Sequence, residues 1–153
     1  MRVYLAAPYA ARDALRNYAD DLARFGHECT SSWLSEMTEI SAGTVGVAPA
    51  ITDEQASAHV FTDLRDVARS HALVMWTWPA AEPIVTGGGN SGGRHVETGA
   101  AMAQGIPVVV IGEPENIFHR ASGVTCVPDW HEACMVLADI ERAMPHIEAG
   151  EPA

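Results

Sequence analysis

Short apolar runs alternate along this chain with stretches in which apolar residues recur every three to four positions. Val3 to Ala7 is a continuous apolar run closed by Pro8, the pattern of a buried strand. Asp13 to Phe25 has helical spacing, with Leu15, Tyr18, Leu22 and Phe25 on one face and Gly26 as the stop. His27 to Leu34 reads as a second strand with Trp33 near its end. Ser35 to Ile51 is rich in Gly, Ala, Ser and Thr and lacks a period. A loop that long tends to be functional or disordered. Thr52-Asp53-Glu54 has the composition of a helix start, and that helix is expected to run to about Ser70. Ala72 to Thr77 is a third strand and Pro79 to Gly93 a second loop, ending in GGGNSGG. A helix from about Gly92 to Gln104 stops at Gly105, and Ile106 to Ile111 forms a fourth strand. Val124 to Val127 is a short fifth strand, and Asp129 to Met144 is a closing helix with acidic residues early.

Strands alternating with helices predict a parallel sheet covered on both faces. Runs such as VMW and PVVVI agree, because both faces of a central parallel strand are buried. The fold class is therefore α/β: a flavodoxin-like or Rossmann-like doubly wound parallel sheet of about five strands in a three-layer sandwich. A length of 153 residues fits a single domain, here 1–146, followed by a frayed tail at 147–153. Ligands of such sheets sit at the carboxyl ends of the strands, which directs attention to the loops after Ala7, Trp33, Thr77 and Ile111.

Composition narrows the chemistry. Nine basic residues face 20 acidic ones, for a formal net charge of −11, and all nine are Arg. Without Lys, a Schiff-base lysine and a Walker-A phosphate loop are both excluded. So acidic a chain offers no basic face for a nucleic acid polymer. Cys29, Cys126 and Cys134 form no C-x-x-C pair, which argues against a disulfide framework or a zinc site, and no metal is expected. MRVYLAAPY is too short an apolar run for a signal peptide, and no stretch approaches the roughly 20 apolar residues of a membrane span. The expectation is a soluble, cytoplasmic protein.

The sharpest local feature is Ser91-Gly92-Gly93-Arg94-His95-Val96-Glu97-Thr98-Gly99. A Gly-rich turn feeds a helix whose free N–H groups and dipole favour an anion, and Glu97 lies within the first turns. A flexible loop followed by a helix with a solvated Glu would look the same. Arg94 lies three residues before Glu97, so it can pair with Glu97 or clamp a substrate phosphate. His95 points elsewhere, as a packed or exposed histidine. Tyr4 lies within the first strand and Tyr9 just beyond it, at the crest. Trp33 can stack on a base or simply pack. Asp63 and Asp66 lie on the helix before the third strand, where a solvated charged face is the ordinary reading. A helix starting near Asp53 sets Asp63 well below the crest. Asn116, in GEPENIFH, is a crest-loop residue or a turn cap.

Taken in order, VYLAAPY, GHECTSSWL, DLRDVARSHALVMW, SGGRHVETGAAMAQGIPVVV and ENIF resemble the nucleoside 2-deoxyribosyltransferase superfamily, which includes nucleotide N-glycosidases. The resemblance covers Val3 to about His119. It implies that Glu97, in the V-E-x-G pattern, is a nucleophile, that Tyr4 positions its carboxylate, and that Asp63 helps handle the base. It also implies that Asn116 reaches a neighbouring subunit's site and that Ser91 lies near a phosphate. The transferases place an aspartate at the position of Ser91, and some carry a C-terminal tyrosine that EAGEPA lacks. Both departures favour a nucleotide hydrolase or a different base.

The implied reaction is retaining cleavage of an N-glycosidic bond, with the sugar passed from Glu97 to water or to an acceptor base and no cofactor. Asp63 or Asp66 would supply the proton, Gly92, Gly93, Arg94 and Ser91 would hold any phosphate, and Tyr9 and Trp33 would enclose the base. The implied partners are a nucleoside or nucleotide and a second copy, in a homodimer or higher assembly. Two other readings compete. One is a non-enzymatic nucleotide-binding or signalling module of the same fold. The other is a phosphoribohydrolase with a PGGxGTxxE pattern, of which this chain shares only the Gly-rich turn and a later Glu.

Overall fold

The structure is a computed structural model that describes residues 1–35, 52–77 and 92–145. Five parallel strands lie in the order β2-β1-β3-β4-β5. They are β1 (Arg2–Ala6), β2 (Glu28–Cys29), β3 (Ala72–Trp76), β4 (Val108–Ile111) and β5 (Val124–Val127). Four helices cross between or follow them: α1 (Arg12–Arg24), α2 (Asp53–Ala68), α3 (Gly93–Ala103) and α4 (Trp130–Ala143). This is the doubly wound α/β architecture expected from the alternating pattern. The strand order reverses between β1 and β3, and in such sheets that point opens the crevice for a ligand.

The central strands are buried on both faces, as their unbroken apolar runs require. Alternation along them sorts the two layers. Trp76 meets Tyr18 of α1 and stacks on Trp130 of α4, at 5.3 and 5.8 Å between ring centroids. Met75 points the other way, where its sulfur receives the Thr98 hydroxyl of α3 at 3.1 Å. With α2 packed beside α3 on that second face, the sheet is covered on both sides.

The punctuation residues act as their chemistry dictates. Thr52 caps α2 through a capping box with Gln55, and Asp129 caps α4 by accepting from the Glu132 N–H. Gly26 and Gly105 end α1 and α3 at φ +79° and +70°, a backbone region that costs glycine nothing.

The second strand differs from expectation. It was expected over His27 to Leu34, but pairing covers only Glu28–Cys29. Side chains take over beyond it. The Leu5 N–H donates to Ser31 Oγ at 2.6 Å, and the Ser31 hydroxyl and the Trp33 indole N–H both donate to the Leu5 carbonyl at 3.1 Å. With its ladder partner satisfied, the chain curls into a 3-10 turn at Ser32–Ser35. Positions 36–51 of the expected Ser35–Ile51 loop, the Gly-rich loop through Ser91 and the tail lie outside the described residues. No helix among the described residues is long and apolar enough to cross a membrane.

Candidate active site

Tyr4 is the middle residue of β1 and is fully buried. Its hydroxyl donates to Glu97 Oε1 at 2.8 Å. Glu97 is the fifth residue of α3 and half-buried, with its carboxylate turned toward the Tyr4 hydroxyl of β1. Burial pushes the Glu97 carboxyl up to about 7. The Tyr4 hydrogen bond pulls it back down, and the nearby Asp63 charge adds a further upward push. Burial and the Glu97 and Asp63 charges raise the Tyr4 phenol, which keeps it a proton donor at every physiological pH.

Asp63 therefore shares this site. Its helix position alone gave no sign of this, but Tyr4 sits at mid-strand, and the Asp63 charge acts on both Tyr4 and Glu97. Asp66 is placed differently. It is 1% exposed, accepts the Ser32 N–H at 3.1 Å and pairs with Arg69 at 3.2 Å. It fastens the Ser32 turn to α2, and its charge reaches the site only as the weakest contribution to raising Tyr4.

Arg94 corrects one expectation. It pairs with Glu115 and not with Glu97: one terminal nitrogen reaches both Glu115 oxygens, at 3.0 and 3.1 Å. Three-residue spacing allows a pair on a helix surface but does not impose one. Here the guanidinium turns toward the β4 side, where a carboxylate waits, while Glu97 turns toward β1. Sequence reasoning did not single out Glu115 or His119. Their only signal was a place in the crest loop after β4.

Asn116 caps the 3-10 turn Ile117–Arg120 by accepting the Phe118 N–H at 2.9 Å. Together with His95, Thr98, Gly99, Met102, Phe118 and His119 it lines a cleft of about 380 Å³. That cleft excludes Glu97. At about 100° per residue, His95, Gly99 and Met102 lie on the flank of α3 away from Glu97. Within one chain, then, Asn116 and Glu97 face apart.

Tyr9 borders the start of α1, where Arg12 donates to its hydroxyl and lies over its ring. Its ring meets Trp33 at 6.3 Å between centroids. Trp33 is only 7% exposed and committed to Leu5, so little of its face is free for a base. Gly92 and Gly93 are exposed at the start of α3, while Ser91 falls outside the described residues.

A 2-deoxyribosyltransferase from Bacillus psychrosaccharolyticus superposes with a TM-score of 0.58 at 18% identity, covering 87% of this chain and 90% of its own. The fold is that of a 2-deoxyribosyltransferase. The Clostridium botulinum CMP N-glycosidase BcmB matches with a TM-score of 0.53 at 16% identity, over 92% of this chain and 99% of that one. BlsM matches with a TM-score of 0.53 at 18% identity, over 93% and 88%. At 16–18% identity these likenesses are of fold, the α/β fold that the resemblance implied. No protein-family profile matches the chain, and no curated protein matches it in sequence.

Proposed function

We propose that the protein cleaves the N-glycosidic bond of a nucleoside or nucleotide, with Glu97 as nucleophile. One observation carries the reading: the part-buried 2.8 Å hydrogen bond from Tyr4 of β1 to Glu97 of α3, on a 2-deoxyribosyltransferase fold. The Glu97 carboxylate attacks the anomeric carbon as the bond to the base breaks, giving a glycosyl ester on Glu97 and the released base. Asp63 handles the proton the base takes up. Water, or a second base, then attacks the same carbon and frees the carboxylate. Tyr4 holds the carboxylate on one oxygen and leaves the other for the sugar.

Glu97 must be ionised to attack. Positive charge building on the sugar ring in the transition state then stabilises a carboxylate that burial otherwise disfavours. Gly92 and Gly93 offer backbone N–H groups at the start of α3, and Ser91 a hydroxyl, to the far end of the substrate. Tyr9 borders the base. Because Asn116 faces away from Glu97 of its own chain, we assign it to the site of a second copy in a homodimer. The protein acts in the cytoplasm, without a cofactor.

The test is chromatography of free base released from a panel of deoxynucleosides, ribonucleosides and their 5′-phosphates, with and without an acceptor base. Release without acceptor, lost in Glu97→Gln, marks a hydrolase. New nucleoside formed only with acceptor marks a transferase. Full activity in Glu97→Gln would remove Glu97 from the chemistry.

A further inference from the structure

The first turn of α3 is held from two sides. On the β1 side, Glu97 meets Tyr4. On the β4 side, Arg94 is only 8% exposed, and its guanidinium reaches both oxygens of Glu115. Glu115 Oε2 also lies 3.3 Å from His95 Nε2. The Glu115 backbone N–H donates to His119 Nδ1 at 3.2 Å, and the His119 ring stacks on His95 at 5.8 Å and 25°. One residue thus gathers two consecutive side chains of α3 and the 3-10 turn after β4.

Stability alone does not account for this arrangement. Desolvating a guanidinium and a carboxylate costs several kcal/mol, and well-packed apolar side chains of similar volume are often as stable. The pair is also imperfect, since Arg94 Nε is buried with no hydrogen-bond partner among the described residues. What the pair provides is direction. Glu115 draws Arg94 and His95 toward β4 while Tyr4 holds Glu97 at β1, so the turn cannot roll about its axis.

We propose that Arg94 and Glu115 are positioning residues for Glu97, setting the rotation and depth of the first turn of α3 so that its carboxylate meets Tyr4. This rests on the reading of Glu97 as the reacting group. The effect runs through position and not through field. Glu115 cancels the charge of Arg94, and neither residue is among the groups that displace the Glu97 titration.

The experiment compares wild type with Arg94→Met/Glu115→Leu, which removes the pair while keeping the volume filled. Two readouts are taken: steady-state base release, and the titration of Glu97 followed by carbon NMR of labelled glutamate. Expected are a kcat lower by about tenfold, a KM within about twofold of wild type, and recovery of part of kcat in Arg94→Lys. The Glu97 midpoint is expected to move by roughly 0.5 pH unit or more, downward where water reaches the carboxyl that burial had raised and upward where the Tyr4 contact is what is lost.

A double variant with wild-type kcat and an unmoved midpoint overturns the proposal. If wild type itself releases no base, the catalytic reading fails, and the titration alone decides the positioning: a shifted midpoint supports it and an unmoved one overturns it. Glu115→Gln, which keeps the shape, repeats both readouts should the double variant not fold.

Discussion

The two flanks of α3 use the same kinds of group to opposite ends. Toward β1, Glu97 meets a neutral phenol and a second carboxylate, with no cation among the described residues that shift its titration. Toward β4, Glu115 meets the guanidinium of Arg94 at 3.0 Å. A carboxylate facing a cation is satisfied and becomes structure. A carboxylate facing a phenol and like charge stays poorly compensated, and its ionised form is available to a positive centre elsewhere. In the proposed function, the less well compensated flank is the one that reacts.

The largest test of this contrast is Glu97→Gln. Base release should fall by about 10³-fold or more, as expected for a nucleophile, with the circular-dichroism spectrum unchanged. The same variant should gain stability at alkaline pH. The folded-state pKa of Glu97 is raised from 4.5 to about 7, so its stabilising contribution is fully present below 4.5 and is lost as pH rises through 7. Above that window Gln replaces a buried charge, and denaturant melts should show a gain on the order of 2 kcal/mol, absent at pH 4. No pH-dependent gain would mean that Glu97 is solvated and the contrast false.

Glu115→Ala should reverse the pattern, destabilising the fold by about 3 kcal/mol in urea melts because it leaves Arg94 buried without its partner. A cost below that of an exposed pair would place Arg94 in solvent.

Tyr4→Phe removes the hydrogen bond that lowers the Glu97 pKa. The acid limb of kcat/KM against pH should move upward, with a loss of roughly tenfold at neutral pH. A downward shift would contradict the hydrogen bond. Asp63→Asn removes a charge that raises both Glu97 and Tyr4, so the same limb should move down by a smaller amount. An unmoved limb would set Asp63 outside the site.

Much of the architecture was legible because it rests on local rules. Continuous apolar strands, the Thr52 and Asp129 caps and the Gly26 and Gly105 stops each act within a few residues. The second strand was misread for the opposite reason. Its end is decided by Leu5, 26 residues from Ser31, whose hydrogen bonds go to side chains. The site divides in the same way. Tyr4, Glu97 and Asp63 came from a resemblance of ordered motifs, and the structure brings them together. Glu115 and His119 were missed, because nothing near Arg94 in the chain says that a carboxylate 21 residues later will face it. Spacing on a helix names the groups within reach but not the one the tertiary fold presents.

The side-chain closure of β2 also bears on how the protein behaves in company. An edge strand with open N–H and C=O groups invites another chain to pair with it. Here the border strand is two residues long, and beyond it the Leu5 carbonyl is taken by Ser31 and Trp33. A foreign strand approaching from this side finds almost no row of free partners. A hydroxyl and an indole do for this border what lysines often do elsewhere, in a chain that has none.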